Sequence, residues 1–123
     1  MRVNKLGLVV MDGSTAMEGN SPTDGTLVKM GLIIAGTNPL ATDMVAAHAM
    51  GFEMDEIPTF TFAQRAGMTP TSLEEIEVRG EKVPDVKRAF KKPTIYRWDG
   101  IRQVFGGQGN AMMEIQFFQE TLH

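Results

Sequence analysis

The residues best equipped for chemistry lie in the first third of the chain: Asp12-Gly13, Glu18-Gly19-Asn20, Thr37-Asn38 and Asp43. Asp12 follows the apolar run 6–11, LGLVVM. A carboxylate at a strand end, followed by a glycine-rich segment carrying Glu and Asn, can hold a hard cation through oxygen or position a polar ligand. Asp12, Glu18 and Asp43 are the candidate metal ligands, and Asn20, Thr37 and Asn38 offer hydrogen bonds. Gly13 and Gly19 complete the candidate ligand-binding set. The same residue types are also ordinary turn chemistry, the more frequent reason for such a segment. No Gly-Lys-Ser/Thr ending follows, so the segment is not a nucleotide-binding P-loop, and it does not match G-x-G-x-x-G. Asp43 interrupts an otherwise apolar stretch, LATDMVAA. It either faces water or is buried and paired, because burying a bare charge is costly. His48 is five positions from Asp43 and off its helical face. It reads as a satisfied helix histidine, and no Ser-His-Asp constellation is visible.

These residues need elements to hold them. Residues 6–11 and 28–36 (VKMGLIIAG) are near-continuous apolar runs of the kind that form strands buried on both faces. Between them, residues 13–26 read as a long loop with a turn at Ser21-Pro22-Thr23-Asp24-Gly25, and long loops are often functional. Asn38-Pro39 starts a helix as N-cap and first-turn proline, and Gly51 ends it in a left-handed cap. A second helix is predicted over about residues 58–66, stopped by Gly67. Thr71-Ser72-Leu73-Glu74 has capping-box form for a brief helical turn. Glu75-Ile76-Glu77-Val78-Arg79 alternates as a half-exposed edge strand. Residues 84–92 read as a third helix, with Asp85 in its first turn and Lys91-Lys92 in its last. Past Pro93, Tyr96 and Trp98 precede the glycine-rich 105–109. Ala111, Ile115, Phe118 and Leu122 then mark a terminal helix.

The expected fold is α/β, a small mixed or parallel sheet with flanking helices. A sheet so small gains from completion by a partner subunit or a missing half of the same protein. Residues 1–92 form the α/β domain and 93–123 a C-terminal extension. With 123 residues there is one domain or part of one. The absence of cysteine rules out disulfides, thiolate metal sites and thiol nucleophiles in this chain. A net charge of −3 argues against a general nucleic-acid binder. The charge is uneven, with three basic and seven acidic residues in 1–63 against nine and eight in 64–123. Six basic residues between Lys87 and Arg102, with Tyr96 and Trp98, have the grammar of a single-strand surface. A solvated helix face followed by a core tryptophan is the plainer account. The ten methionines fill core gaps or an adaptable interface more readily than they bind metal. No apolar run approaches the ~20 residues that span a bilayer, so the expected location is cytoplasmic, with no membrane partner.

Together, VMDG at 10–13, AMEGNSP at 16–22, Gly25-Thr26, MGLIIAGTNP at 30–39 and Ala41-Thr42-Asp43 resemble the Domain of Unknown Function 362 family. The resemblance continues through Met50-Gly51-Phe52, Ile57-Pro58, EEIEVRGE at 74–81 and VKRAF at 86–90, and it is to the C-terminal half of that family. Members are usually longer, and some carry iron–sulfur modules with no settled reaction. The resemblance implies shared polar positions at Asp12, Glu18, Gly19, Asn20 and Asp43. It also implies a fragment or separately encoded half, whose partner is a homo-oligomer or an N-terminal half. The chain holds no iron–sulfur ligand, and any other cofactor is unspecified. The expected function is a contribution of polar loop residues to a ligand or metal site in a redox-associated assembly, with no particular reaction. The alternatives are a non-catalytic oligomerisation module and, more weakly, nucleic-acid binding through Lys87 to Arg102.

Overall fold

The two apolar runs do form strands, but longer ones than their composition suggests. A computed structural model describes residues 5–94. In it β1 (Val9–Asn20) and β2 (Asp24–Gly36) pair antiparallel as a hairpin, from Val9 opposite Gly36 to Asn20 opposite Asp24. The predicted loop over 13–26 is therefore corrected. Strand pairing runs through it and only Ser21–Thr23 turn. Backbone hydrogen bonds make the ladder whatever the side chains, so Gly, Asp and Asn there disguised a strand as a loop. The register slips once: two steps of β1, from Gly13 to Thr15, face three of β2, from Leu32 to Lys29. Gly31 absorbs the extra residue with φ +65°, a conformation that penalises any Cβ. The bulge keeps Gly13 and Leu32 on one side of it, and Ala16 and Val28 on the other, turned toward the interior.

The α/β class stands, and among the described residues the sheet is antiparallel rather than parallel or mixed. Among the described residues only one sheet face is covered, against the expectation of two. Met11 and Ile34 face inward as a cross-strand pair, while Val10 is 61% and Ile33 74% exposed on the other face.

Helix α1 (Pro39–Ala49) begins as its sequence dictates. Asn38 Oδ1 accepts from Ala41 N at 3.1 Å, and Asn38 Nδ2 donates to Thr69 O at 2.9 Å. Leu40, Met44 and Ala47, at helical spacing, form the core with Phe60 of α2 (Pro58–Arg65). Phe52, Ile57, Met68, Leu73 and Ile76 close around them. Gly51, with φ +83°, ends α1 where a Cβ would lie 2.9 Å from Ala89 Cα. The brief turn predicted after Ser72 is present at Leu73–Glu75.

Two predicted elements change. Residues 76–79 are free of strand pairing among the described residues, and Val78 is 45% exposed. Alternation alone makes no strand without a neighbouring ladder. The third helix, α3, spans only Val83–Val86. Beyond it Arg88 N and Phe90 N donate to Ala49 O and Met50 O. The end of α1 leaves carbonyls in need of donors, and an extended 88–90 supplies them while burying Phe90. Tyr96, Trp98, the glycine-rich 105–109 and the terminal helix lie outside the described residues.

Candidate functional site

An antiparallel hairpin separates what a single site would have to join. At the turn end, Glu18, Gly19 and Asn20 grip the segment 91–94. Glu18 Oε2 accepts from Lys91 N at 2.9 Å, and Gly19 N donates to Lys91 O at 2.9 Å. Thr94 N donates to Asn20 Oδ1 at 2.7 Å, and Asn20 Nδ2 to Thr94 Oγ1 at 3.0 Å. Lys91 Nζ stands 3.9 Å from Glu18 Oε1. Beside this clamp Lys92 Nζ pairs with Glu56 and lies 5.9 Å from the Phe52 ring centre. The Glu18 side chain is only 14% exposed and its acceptors are engaged.

Asp12 occupies the open sheet face opposite Ile33. Its Oδ1 accepts from Ser14 N at 2.9 Å, and that bond holds the carboxyl below the usual carboxylate range. Gly13 lies on the inner face, where a Cβ would be 3.2 Å from Leu32 O. Thr37 and Asn38 follow the far end of β2. Glu18 faces Thr26, so about 35 Å of strand separates it from Thr37 at the usual rise per residue.

Asp43 is half-buried, one turn into α1, with no ion pair among the described residues. Burial pushes its carboxyl pKa up. Asp12 and Glu18 stand six positions apart along β1, about 20 Å at the usual rise per residue. Among the described residues, no three His, Asp or Glu side chains gather as a metal site. His48 also departs from its reading as satisfied: its buried Nδ1 has no hydrogen-bond partner among the described residues.

The structure does bring Thr37 and Asn38 together with residues that sequence reasoning passed over. A cleft of ≈ 380 Å³ lies between β2, α1 and residues 76–86. Leu32, Ile34, Val45, Val78, Val83 and Val86 give it apolar walls. Thr37, Asn38, Glu77, Arg79 and Glu81 supply its polar groups. Both Ile34, which faces inward, and Ala35, which faces outward, line it, so the cleft runs along the free edge of β2. Arg79 Nε donates to Glu77 Oε1 at 2.9 Å, a pair 85% and 74% exposed and therefore of little weight for stability. Alternation does not announce this lining, since the consecutive Ile76, Glu77, Val78 and Arg79 all contribute to it.

All eight candidate ligand-binding residues fall inside one matched region. Residues 1–48 match the model of the Domain of unknown function (DUF362) family. The chain is also similar to the thylakoid-associated protein sll1697 of Synechocystis, at 32% identity over 127 aligned residues. The alignment covers 94% of this chain and 36% of that protein, so the chain spans about a third of the length of the curated relative it matches. No solved structure matches. The sequence has no cysteine, so these 123 residues offer no thiolate ligand to an iron–sulfur cluster. No helix among the described residues is long and apolar enough to cross a membrane.

Proposed function

We propose that this chain is a ligand-binding domain, adding the cleft beside α1 to a site completed within a redox-associated assembly. The cleft carries the reading. Its ≈ 380 Å³ falls in the range of small-molecule sites, and apolar walls with a few convergent polar groups are what such sites are made of. The ligand class that fits is a compact molecule with an apolar body and a polar end met by Thr37, Asn38 and Arg79. Asp12, Glu18 and Asp43 lie outside the cleft lining, and a metal held by any of them takes its remaining donors from beyond the described residues. The redox part rests on the family resemblance alone, with cluster ligands supplied elsewhere. The location we propose is the cytoplasm. The relative's thylakoid association offers a membrane surface instead, and cell fractionation separates the two.

The test uses anilinonaphthalene sulfonate, an apolar fluorophore with one anionic end. The chain binds it with one-to-one stoichiometry, Val45→Trp fills the cleft and abolishes the signal, and Ile33→Asp on the open sheet face leaves it unchanged. The reverse pattern overturns the reading.

A second reading, a non-catalytic assembly module, is favoured by the free edge of β2. A two-stranded sheet is marginal by itself, and an exposed edge is a template for another strand. A second copy or a separately encoded half pairs there, in the space between β2 and residues 76–79. Light scattering then gives an oligomer, and a clean monomer across a wide concentration range contradicts it.

A further inference from the structure

The hairpin is long but lightly held. No residue of β1 or β2 is fully buried, whereas the core is built from α1 and α2. A two-stranded sheet is marginal by itself, so the hairpin keeps its place through what it touches at its two ends. At one end Gly36 and Thr37 lead directly into α1. At the other the turn is gripped by residues 91–94; Thr26, which faces Glu18, lies ten positions from Gly36, about 33 Å along β2. Those four residues end a continuous segment that is otherwise fixed to the helical core. Val83 and Val86 form part of the cleft wall. Arg88 N and Phe90 N donate to Ala49 O and Met50 O, Phe90 is buried, and Lys92 pairs with Glu56. The contacts that reach the hairpin are Lys91 N to Glu18 Oε2, Gly19 N to Lys91 O, Thr94 N to Asn20 Oδ1 and Asn20 Nδ2 to Thr94 Oγ1. They are all polar, and Lys91 and Thr94 are exposed, which is the kind of contact that opens before a core does.

We propose that residues 91–94 are a latch. Closed, it holds the hairpin against the helical core; released, it lets the hairpin pivot at Gly36 and Thr37 and widen the cleft, one wall of which is β2. The pivot lies within the cleft itself. Its lining takes Ile34 to Thr37 from the hairpin and Asn38, Ala41 and Val45 from the start of α1 onward, so rotation there changes the gap between β2 and residues 76–86 and leaves α1 intact. Asn38 marks the division. Its side chain is bonded to Ala41 N and Thr69 O, so it stays with the helical core. A hinge of this kind needs only a few residues at the end of an element to absorb the change. As a control of ligand access the latch rests on the cleft being the ligand site, but the motion itself needs no ligand.

The chain has no cysteine, so Lys29→Cys and Lys82→Cys, both at exposed positions, place one spin label on β2 and one at the end of the cleft wall. Double electron–electron resonance on the full chain gives one distance population while the latch is intact. Adding Glu18→Ala/Asn20→Ala brings in a second, longer population of about one molecule in ten or more, the upper level of an ordinary minor state, while the α1 amides keep their protection from exchange. Thr94→Pro removes both the N–H and the hydroxyl that meet Asn20, and it shifts the populations the same way without touching the hairpin. An unchanged distance in both variants overturns the proposal. Loss of α1 protection together with the hairpin overturns it too, because hairpin and core then open as one unit. A chain that opens as described but binds no anilinonaphthalene sulfonate refutes the cleft as a ligand site and leaves the latch standing.

Discussion

Gly36 has no space for a side chain. A Cβ there would lie 2.5 Å from Thr42 Oγ1, which itself donates to Asn38 O at 2.9 Å. Gly36→Ala therefore costs about 1–3 kcal/mol as overpacking, and urea denaturation in a Thr42→Ala background recovers most of that loss. Asn38 holds the helix start and Thr69 together, and Asn38→Ala lowers stability by about 1 kcal/mol or more, the usual worth of a cap. Asp43 gives a pH signature. Burial raises its folded-state pKa above the ordinary 3.8, so the folded state holds the proton more tightly. Its contribution is fully present below the unfolded value and is lost as pH rises through the folded one. Asp43→Asn removes that fall from the stability–pH curve. Asp12 has the opposite sign, since the Ser14 amide stabilises its charged form. The Asn38-Pro39 start was legible because capping is local. The partners of Glu18 and Asn20 were not, because they lie more than seventy positions away.

Among the elements, the hairpin departs furthest from its sequence pattern. Residues 13–26 read as loop because glycine, aspartate and asparagine dominate turns, yet a ladder tolerates them when the backbone pairs. Gly31 supplies a left-handed φ of +65° at the bulge, and Gly31→Val destabilises the hairpin by about 1–3 kcal/mol, measured by thermal unfolding. Residues 88–94 are held by α1 at one end and by Glu18 and Asn20 at the other. Asn20→Ala removes the acceptor of the Thr94 amide, which then exchanges with solvent at least about tenfold faster while α1 amides keep their protection. Propensity favoured a helix through 92, and the unmet carbonyls of α1 drew the chain out of it after Val86. These competing demands are tertiary, and no local pattern announces them.

Across the whole molecule, the α/β class and the small helical core were readable, since Leu40, Met44 and Ala47 repeat at helical spacing. The division of the polar residues between two ends of a hairpin was not, because strand direction is invisible in one sequence. That division also bears on the basic run. Lys91 and Lys92 face Glu18 and Glu56, which leaves less free positive charge for a polyanion than the sequence implies. What the fold does assemble is the cleft between β2, α1 and residues 76–86. The most direct measurement is an amide chemical-shift titration of the full chain with anilinonaphthalene sulfonate. Saturable shifts are expected at Thr37, Asn38, Val45 and Val78, with the amides of Leu8, Val10 and Ile33 unmoved. Shifts confined to Leu8, Val10 and Ile33, or none at saturation, would contradict binding in the cleft.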